Sequence, residues 1–271
     1  VDMKRTMIAV IVALLPALIF GMYNVGLQHV LMRGGTDTSF WPLFGFGFLS
    51  MLPTIIVSYV VGLGIEFAVA QVRGHEVNEG FLVTGLLIPM VLPIGVPLWM
   101  TALATAFAVV FGKEVFGGTG MNIFNPALLA RAFLFFAFPK NMSGDDVWVA
   151  GYGAYPAVDG FSGATPLSLS AAGLTDKLPS LPDMFMGFIP GSVGETSTLL
   201  ILVGGLILLL TGVASWRVML SVFAGGYLMG LLFNAIGANA YMELPAHYHL
   251  VMGGFAFGAV FMATGPVSSA Q

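Results

Sequence analysis

No cysteine occurs in the 271 residues. That excludes disulfides, cysteine-ligated iron–sulfur clusters and thiolate zinc sites within the chain. Any redox chemistry therefore rests on a bound organic cofactor or on metal ligands from another subunit. Charge is the second scarcity: nine basic and thirteen acidic residues make up only 8% of the sequence, where a soluble domain carries roughly 25%. So few charges cannot cover a water-exposed surface. With 58% hydrophobic residues and a mean hydropathy of +0.95, lipid is the main solvent. The net charge of −4 offers no basic stripe, which argues against nucleic acid as a partner.

What is present is a series of apolar runs. Lys4 and Arg5 precede a run from Thr6 to about Gly26, long enough to span a bilayer and without the small-residue cleavage pattern of a signal peptide. By the positive-inside rule these two residues hold the amino terminus in the cytoplasm. A polar link with His29, Arg33 and Asp37 follows on the outer side. Trp41 starts a second run to about Ala70, and the loop Gln71 to Gly80 is expected to be cytoplasmic. Three more runs close the chain: Ser197 to about Gly212, Val218 to Ile236, and His249 to about Thr264. Ser192-Val193-Gly194-Glu195 has the spacing of a capping box before the first of them.

From Phe81 to Pro139 the runs are short and interrupted by Pro89, Pro93, Pro97 and Pro126. Thirteen residues at 1.5 Å rise do not cross a bilayer. Broken backbone at that depth is tolerated where it lines a cavity or is buried in protein. Half-helices around a binding site are expected here, with proline-kinked ordinary helices as the alternative. Residues 140–196 form the one long polar segment. The polar tail Val267 to Gln271 and the start at Val1 read as an excerpt from a longer protein.

The segment Asp159-Gly160-Phe161-Ser162-Gly163-Ala164-Thr165-Pro166 is a glycine-containing turn ending in a threonine and a proline. Thr165 suits a helix N-cap and Pro166 the first helical position. The same geometry also suits a phosphate on the Thr165 hydroxyl, at the positive end of a helix. Both readings stand on the residues alone. Gly117, Gly118 and Gly120 lead to Asn122 and Asn125, whose amides either cap and pack a half-helix or bond to a flat ring. Glu66, near the end of the second run, is either an interfacial glutamate or a cation-pathway or quinone-site acid, with Gly62 letting a ring or helix approach. Arg131 either pairs with an acid or phosphate or anchors a helix end. His247 and His249 are two ligands at most, too few for a metal site.

The string Asp-Gly-x-Ser-Gly-Ala-Thr ending at Thr165 resembles the acceptor motif of flavin transferases. With it, the block from Gly112 to Phe133, the segment from His75 to Phe81 and Gly194-Glu195-Thr196-Ser197 resemble the family formed by the B subunit of the sodium-translocating NADH:quinone oxidoreductase and the D subunit of the Rnf complex. The likeness covers essentially the whole chain. It departs at Gly265, where the family has an acid, and at residues 151–157, which look like an insertion. The last membrane helices of the family are also missing.

The resemblance implies an all-α polytopic membrane protein of about eight transmembrane or half-membrane helices, arranged as urea-channel-like inverted repeats. Residues 1–271 form one transmembrane domain in the bacterial inner membrane, with 140–196 as a periplasmic-side loop. It further implies FMN esterified to Thr165, with Asp159, Ser162, Gly163 and Ala164 forming the recognition motif. A second flavin, riboflavin, falls to Asn122 and Asn125. Gly62 and Glu66 fall on the quinone or cation path. Ubiquinone and the sodium ion are the expected acceptor and cargo. The expected partners are flavoprotein and membrane subunits and an FMN transferase. Rivals are an Rnf-type subunit, a small-solute channel without redox role, and a membrane scaffold.

Overall fold

The computed structural model describes residues 3–74, 80–118 and 120–265. The loop from His75 to Glu79 and the tail from Pro266 lie outside them. Helices make up 68% of the structure and no strand forms among the described residues. The protein is an all-α polytopic membrane protein.

The helices are α1 (Met3–Met32), α2 (Phe40–Arg73), α3 (Phe81–Val91), α4 (Leu98–Gly112), α5 (Pro126–Ala137) and α6 (Pro139–Met142). They continue as α7 (Pro166–Ala171), α8 (Leu181–Met186), α9 (Thr198–Leu210), α10 (Trp216–Ile236), α11 (Ala240–Glu243), α12 (Tyr248–Val251) and α13 (Phe255–Phe257). A five-residue π turn, Gly258–Met262, closes the last segment. Four stretches are long and apolar enough to cross a membrane: Lys4–Met32, Phe40–Arg73, Leu98–Phe116 and Trp216–Ile236. Only 11% of the apolar window of α10 is buried, so this helix lies at the rim and faces lipid or a partner.

The expectation of short, proline-interrupted runs between Phe81 and Pro139 is corrected at α4, which Pro93 and Pro97 both precede and neither interrupts. The half-helices on either side are present: α3 has eleven residues and α5 twelve. Both long helices exceed their apolar runs, because polar end residues such as Gln28 and Arg73 continue the same backbone pattern. The polar segment 140–196 is also more structured than its composition suggests, holding α6, α7, α8 and a 3₁₀ turn, Thr175–Lys177.

Small residues let the long helices touch backbone to backbone. Gly26 of α1 lies against the Leu43 carbonyl of α2, and Gly47 of α2 against the Met22 carbonyl. Gly204 of α9 rests on the Ala13 carbonyl of α1. Around these contacts Ala13, Leu14, Ile88, Met90, Leu134, Ile201 and Phe257 are shut from the surface.

The end of a half-helix buried in the membrane has to find partners for its carbonyls. The Ser192 hydroxyl donates to the Val91 carbonyl at 3.2 Å and the Gly194 amide to the Met90 carbonyl at 2.9 Å. That corrects the capping box expected at Ser192–Glu195. Those residues close the end of α3, while α9 starts later with Ser197, whose hydroxyl accepts from the Leu200 amide. Within α3, Pro89 has no N–H to offer the Gly85 carbonyl. The Ser58 hydroxyl of α2 supplies the missing donor at 2.9 Å.

Candidate functional sites on two faces of one half-helix

The motif that ends in Thr165 packs against the carboxyl end of α1, where the Val158 amide donates to the Met32 carbonyl at 2.9 Å. The Ser162 hydroxyl donates to the Asp145 carboxylate at 3.2 Å and accepts from the Ala164 amide at 3.2 Å. Gly163 sits so close on the Asp145 carbonyl that a side chain would collide with it, and Gly160 has φ of +85°, a conformation suited to glycine. Asp159 is exposed. Asp145 lies fourteen residues upstream of the motif's first residue, and no sequence pattern singles it out.

Thr165 caps α7. Its hydroxyl accepts from the Ser168 amide at 3.2 Å, and Pro166 takes the first helical position. The helix is only six residues long, so its dipole is slight. The positive charge near Thr165 belongs to Arg131 of α5. Both residues, with Trp148, line a cleft of about 410 Å³. The Arg131 guanidinium is ion-paired with Glu195, which also lines this cleft, and Glu195 is almost wholly buried while Arg131 keeps 30% exposure.

At the start of α5 the Asn125 side chain accepts from the Ala127 and Leu128 amides at 2.9 and 3.3 Å. Asn122 does not share a helical face with it: the residues before Asn125 form turns, and the Asn122 amide donates to the Phe124 carbonyl at 3.1 Å. The two nonetheless line one cavity of about 700 Å³ together with Lys113, Thr84, and Met7 and Val10 from the start of α1.

Glu66 is buried and ion-paired with Lys113. Lys113 is as buried as its partner. The space beside Gly62 is filled by the ring of Phe81, so the close approach read from Gly62 is made by the chain's own aromatic. The Lys113 ammonium stands 6.0 Å from that ring's centroid. Nothing in the sequence around Lys113 announces this pairing. His249 lies beside Tyr241, and among the described residues no three acidic, histidine or cysteine side chains gather to hold a metal.

A family model described as NQR2, RnfD, RnfE matches residues 1–271, the whole chain. The chain belongs to the NQR2, RnfD, RnfE family. Relatives in it are similar at full length. A Chromohalobacter salexigens protein, named as the B subunit of Na(+)-translocating NADH-quinone reductase, is 48% identical over 296 residues, covering 100% of this chain and 70% of that protein. Proteins of the same name from Pseudomonas aeruginosa and Azotobacter vinelandii are 47% and 45% identical, each over 299 residues, covering 100% of this chain and 72% of theirs. With its four candidate spans, this NQR2, RnfD, RnfE family member is a multi-pass membrane protein.

Proposed function

We propose that the chain is the B-type membrane subunit of a sodium-translocating NADH:quinone oxidoreductase, a translocase. In it, electrons pass from a partner flavin, by way of FMN on Thr165 and a second flavin, to ubiquinone, and sodium is exported. Support for the pump comes from the full-length relatives named for that activity. The observation that carries the flavin assignment is that Thr165, Arg131 and Trp148 open onto one cleft. A hydroxyl for the ester, a guanidinium for phosphate and an indole for a flat ring fit a phosphate-linked flavin.

A flavin held there supplies electron transfer that no side chain of this cysteine-free chain provides. The chain's own work is positional. Ser162 and Asp145 fix the loop, and Gly163 lets it press on its neighbour. Arg131, oriented by Glu195, offers charge to the phosphate side, and Asp159 stays accessible to the modifying transferase. The cavity of Asn122 and Asn125 suits riboflavin, since the Asn125 amide nitrogen, left free by the cap, and the Asn122 amide oxygen offer a donor and an acceptor to a flat polar ring edge. Glu66 is assigned to the cation or quinone path and Gly62 to the close packing beside it.

Residues 1–271 are assigned to one transmembrane domain of the bacterial inner membrane, with 140–196 on the periplasmic side and the amino terminus in the cytoplasm. In support, Met7 and Val10 line the cavity near one end of α1, while Met32 at its other end anchors the motif loop. At 1.5 Å per residue the thirty residues of α1 span about 45 Å, enough to separate the two faces. An Rnf-type subunit is the second reading, since the family description includes RnfD and RnfE.

The test is the mass of the peptide containing Thr165, from cells expressing an FMN transferase. The expected mass includes one FMN, and in-gel flavin fluorescence is lost in Thr165→Ala. An unmodified peptide in active complex overturns the assignment. A complex that carries the flavin but reduces no quinone would favour the second reading.

A further inference from the structure

The last third of α1 holds the segments that line the cleft of Thr165. Gly21, Asn24, Gln28 and Met32 recur at intervals of three and four, the spacing of one helical face. Gly21 lies so close to the Val193 carbonyl that a side chain there would collide with it. The Asn24 amide nitrogen donates to the carbonyl of Ile189, a residue of the cleft lining, at 2.8 Å. Gln28 donates to the Asn24 amide oxygen at 3.3 Å, which keeps the Asn24 nitrogen turned toward Ile189. His29 serves a second segment of the lining: its Nδ1 donates to the Ala150 carbonyl at 2.7 Å. On the other side of Trp148 the Gly95 amide donates to the Val147 carbonyl at 2.9 Å, so the indole is bracketed by two bonds. The His29 ring is stacked on Phe46, centroids 4.3 Å apart, and meets Tyr155 edge-on at 5.4 Å. The Arg33 guanidinium covers the Tyr155 ring at 4.8 Å. Asn24, Gln28 and His29 are all buried in a helix long enough to span the membrane, where polar side chains are costly. Packing alone would accept any partner; here the partners are carbonyls of segments that line one cleft.

We propose that Asn24 and His29 are positioning residues for the flavin of the Thr165 cleft. Asn24 sets the segment bearing Ile189, and His29, its ring held by Tyr155, sets the segment bearing Trp148. This role rests on the assignment of FMN to Thr165 and adds what orients the ring once the ester is made. An ester at Thr165 ties down only the phosphate end, and the chain between phosphate and ring keeps its rotatable bonds. The lining therefore sets how the ring lies. Both residues act from one thirty-residue helix, a rigid element behind the side chains that touch the ligand. Five residues of helix place the two anchor points about 7.5 Å apart along its axis. Losing either bond lets one part of the lining shift against the other.

The test uses the absence of cysteine, which lets a pair of nitroxide labels be placed at chosen sites. Asp146→Cys and Met186→Cys, both at exposed positions, mark the two segments. Pulsed electron paramagnetic resonance reads the spread of distances between them in the full chain in detergent, made without the transferase. Asn24→Leu and His29→Leu are each expected to broaden that spread. Made with the transferase, both are expected to keep one FMN per chain and to lose most of the visible circular dichroism of the flavin, taken as the difference from the matching Thr165→Ala chain. His29→Asn, whose amide nitrogen takes the place of Nδ1, is expected to retain both signals. A lowered unfolding temperature in the leucine variants, with spread and dichroism as in the parent, overturns the proposal and leaves the two residues a packing role. Should the leucine variants fail to fold, Tyr155→Leu, at an exposed position, frees the His29 ring. It is expected to weaken the dichroism, and an unchanged signal overturns the role of His29. A Thr165 peptide at unmodified mass overturns the flavin assignment and this role with it. A modified peptide with unchanged spread and dichroism overturns this role alone.

Discussion

Asn125 and Arg131 stand six residues apart on one half-helix and serve different sites. Asn125 caps the first turn of α5 at the edge of the cavity, and Arg131 lines the cleft of Thr165 and pairs with Glu195. Six residues of helix amount to about 9 Å. α5 is therefore the rigid strut between the two proposed flavin positions, and its capping at one end bears on the geometry at the other.

Removing one partner of the Arg131–Glu195 pair strands a charge. Glu195 is 7% exposed in its side chain, so Arg131→Ala leaves a buried carboxylate without its counter-ion, at a cost of roughly 3 kcal/mol. That is the low end of the range for such pairs, because Arg131 retains solvent contact. Arg131→Met with Glu195→Gln is expected to recover most of the loss. Unfolding in detergent by denaturant checks both, and equal losses in the single and double variants would show that the stranded carboxylate is not the source of the loss.

Asn122 and Asn125 are separable by experiment. Asn125→Ala loses a helix cap and is expected to cost about 1 kcal/mol, with Asn125→Asp retaining the cap. Asn122→Ala loses one half-exposed bond to a carbonyl and is expected to change stability by less than about 0.5 kcal/mol. If both amides hold a flavin, both alanine variants purify with less non-covalent riboflavin, measured by extraction and fluorescence. Full riboflavin in Asn122→Ala would remove that residue from the site.

How much of the fold and its sites is legible in the residues follows from the range of each interaction. The half-helix at Phe81, the cap at Thr165 and the proline at position 166 are local patterns, and residue types alone specify them. The partners of Glu66 and Arg131 lie 47 and 64 residues away, so packing chooses them. Gly62 announces a close approach without saying what approaches. The misplaced capping box at Ser192 has a similar cause: its spacing suits a helix start, yet the buried end of α3 competes for the same hydroxyl.

Gly62→Ala separates packing from ligand binding. A methyl group there meets the Phe81 ring, and overpacking of this kind costs about 1–3 kcal/mol. Phe81→Leu in the same chain is expected to restore part of the stability. A changed KM for ubiquinone in Gly62→Ala, with thermal stability unaltered, would instead place the quinone against this glycine.

The bond between Ser58 and Gly85 carries the last prediction, because its logic can be reversed. Ser58 is fully buried, and its hydroxyl donates to a carbonyl that Pro89 cannot serve. Ser58→Ala therefore leaves the Gly85 carbonyl without a donor in apolar surroundings, at a cost of about 1–3 kcal/mol. Pro89→Ala restores an amide one helical turn below that carbonyl. Added to Ser58→Ala, it is expected to recover most of the stability, whereas in the parent background it gains little because the carbonyl is already bonded. Equal effects of Pro89→Ala in both backgrounds would mean that the hydroxyl and the missing amide are energetically unrelated.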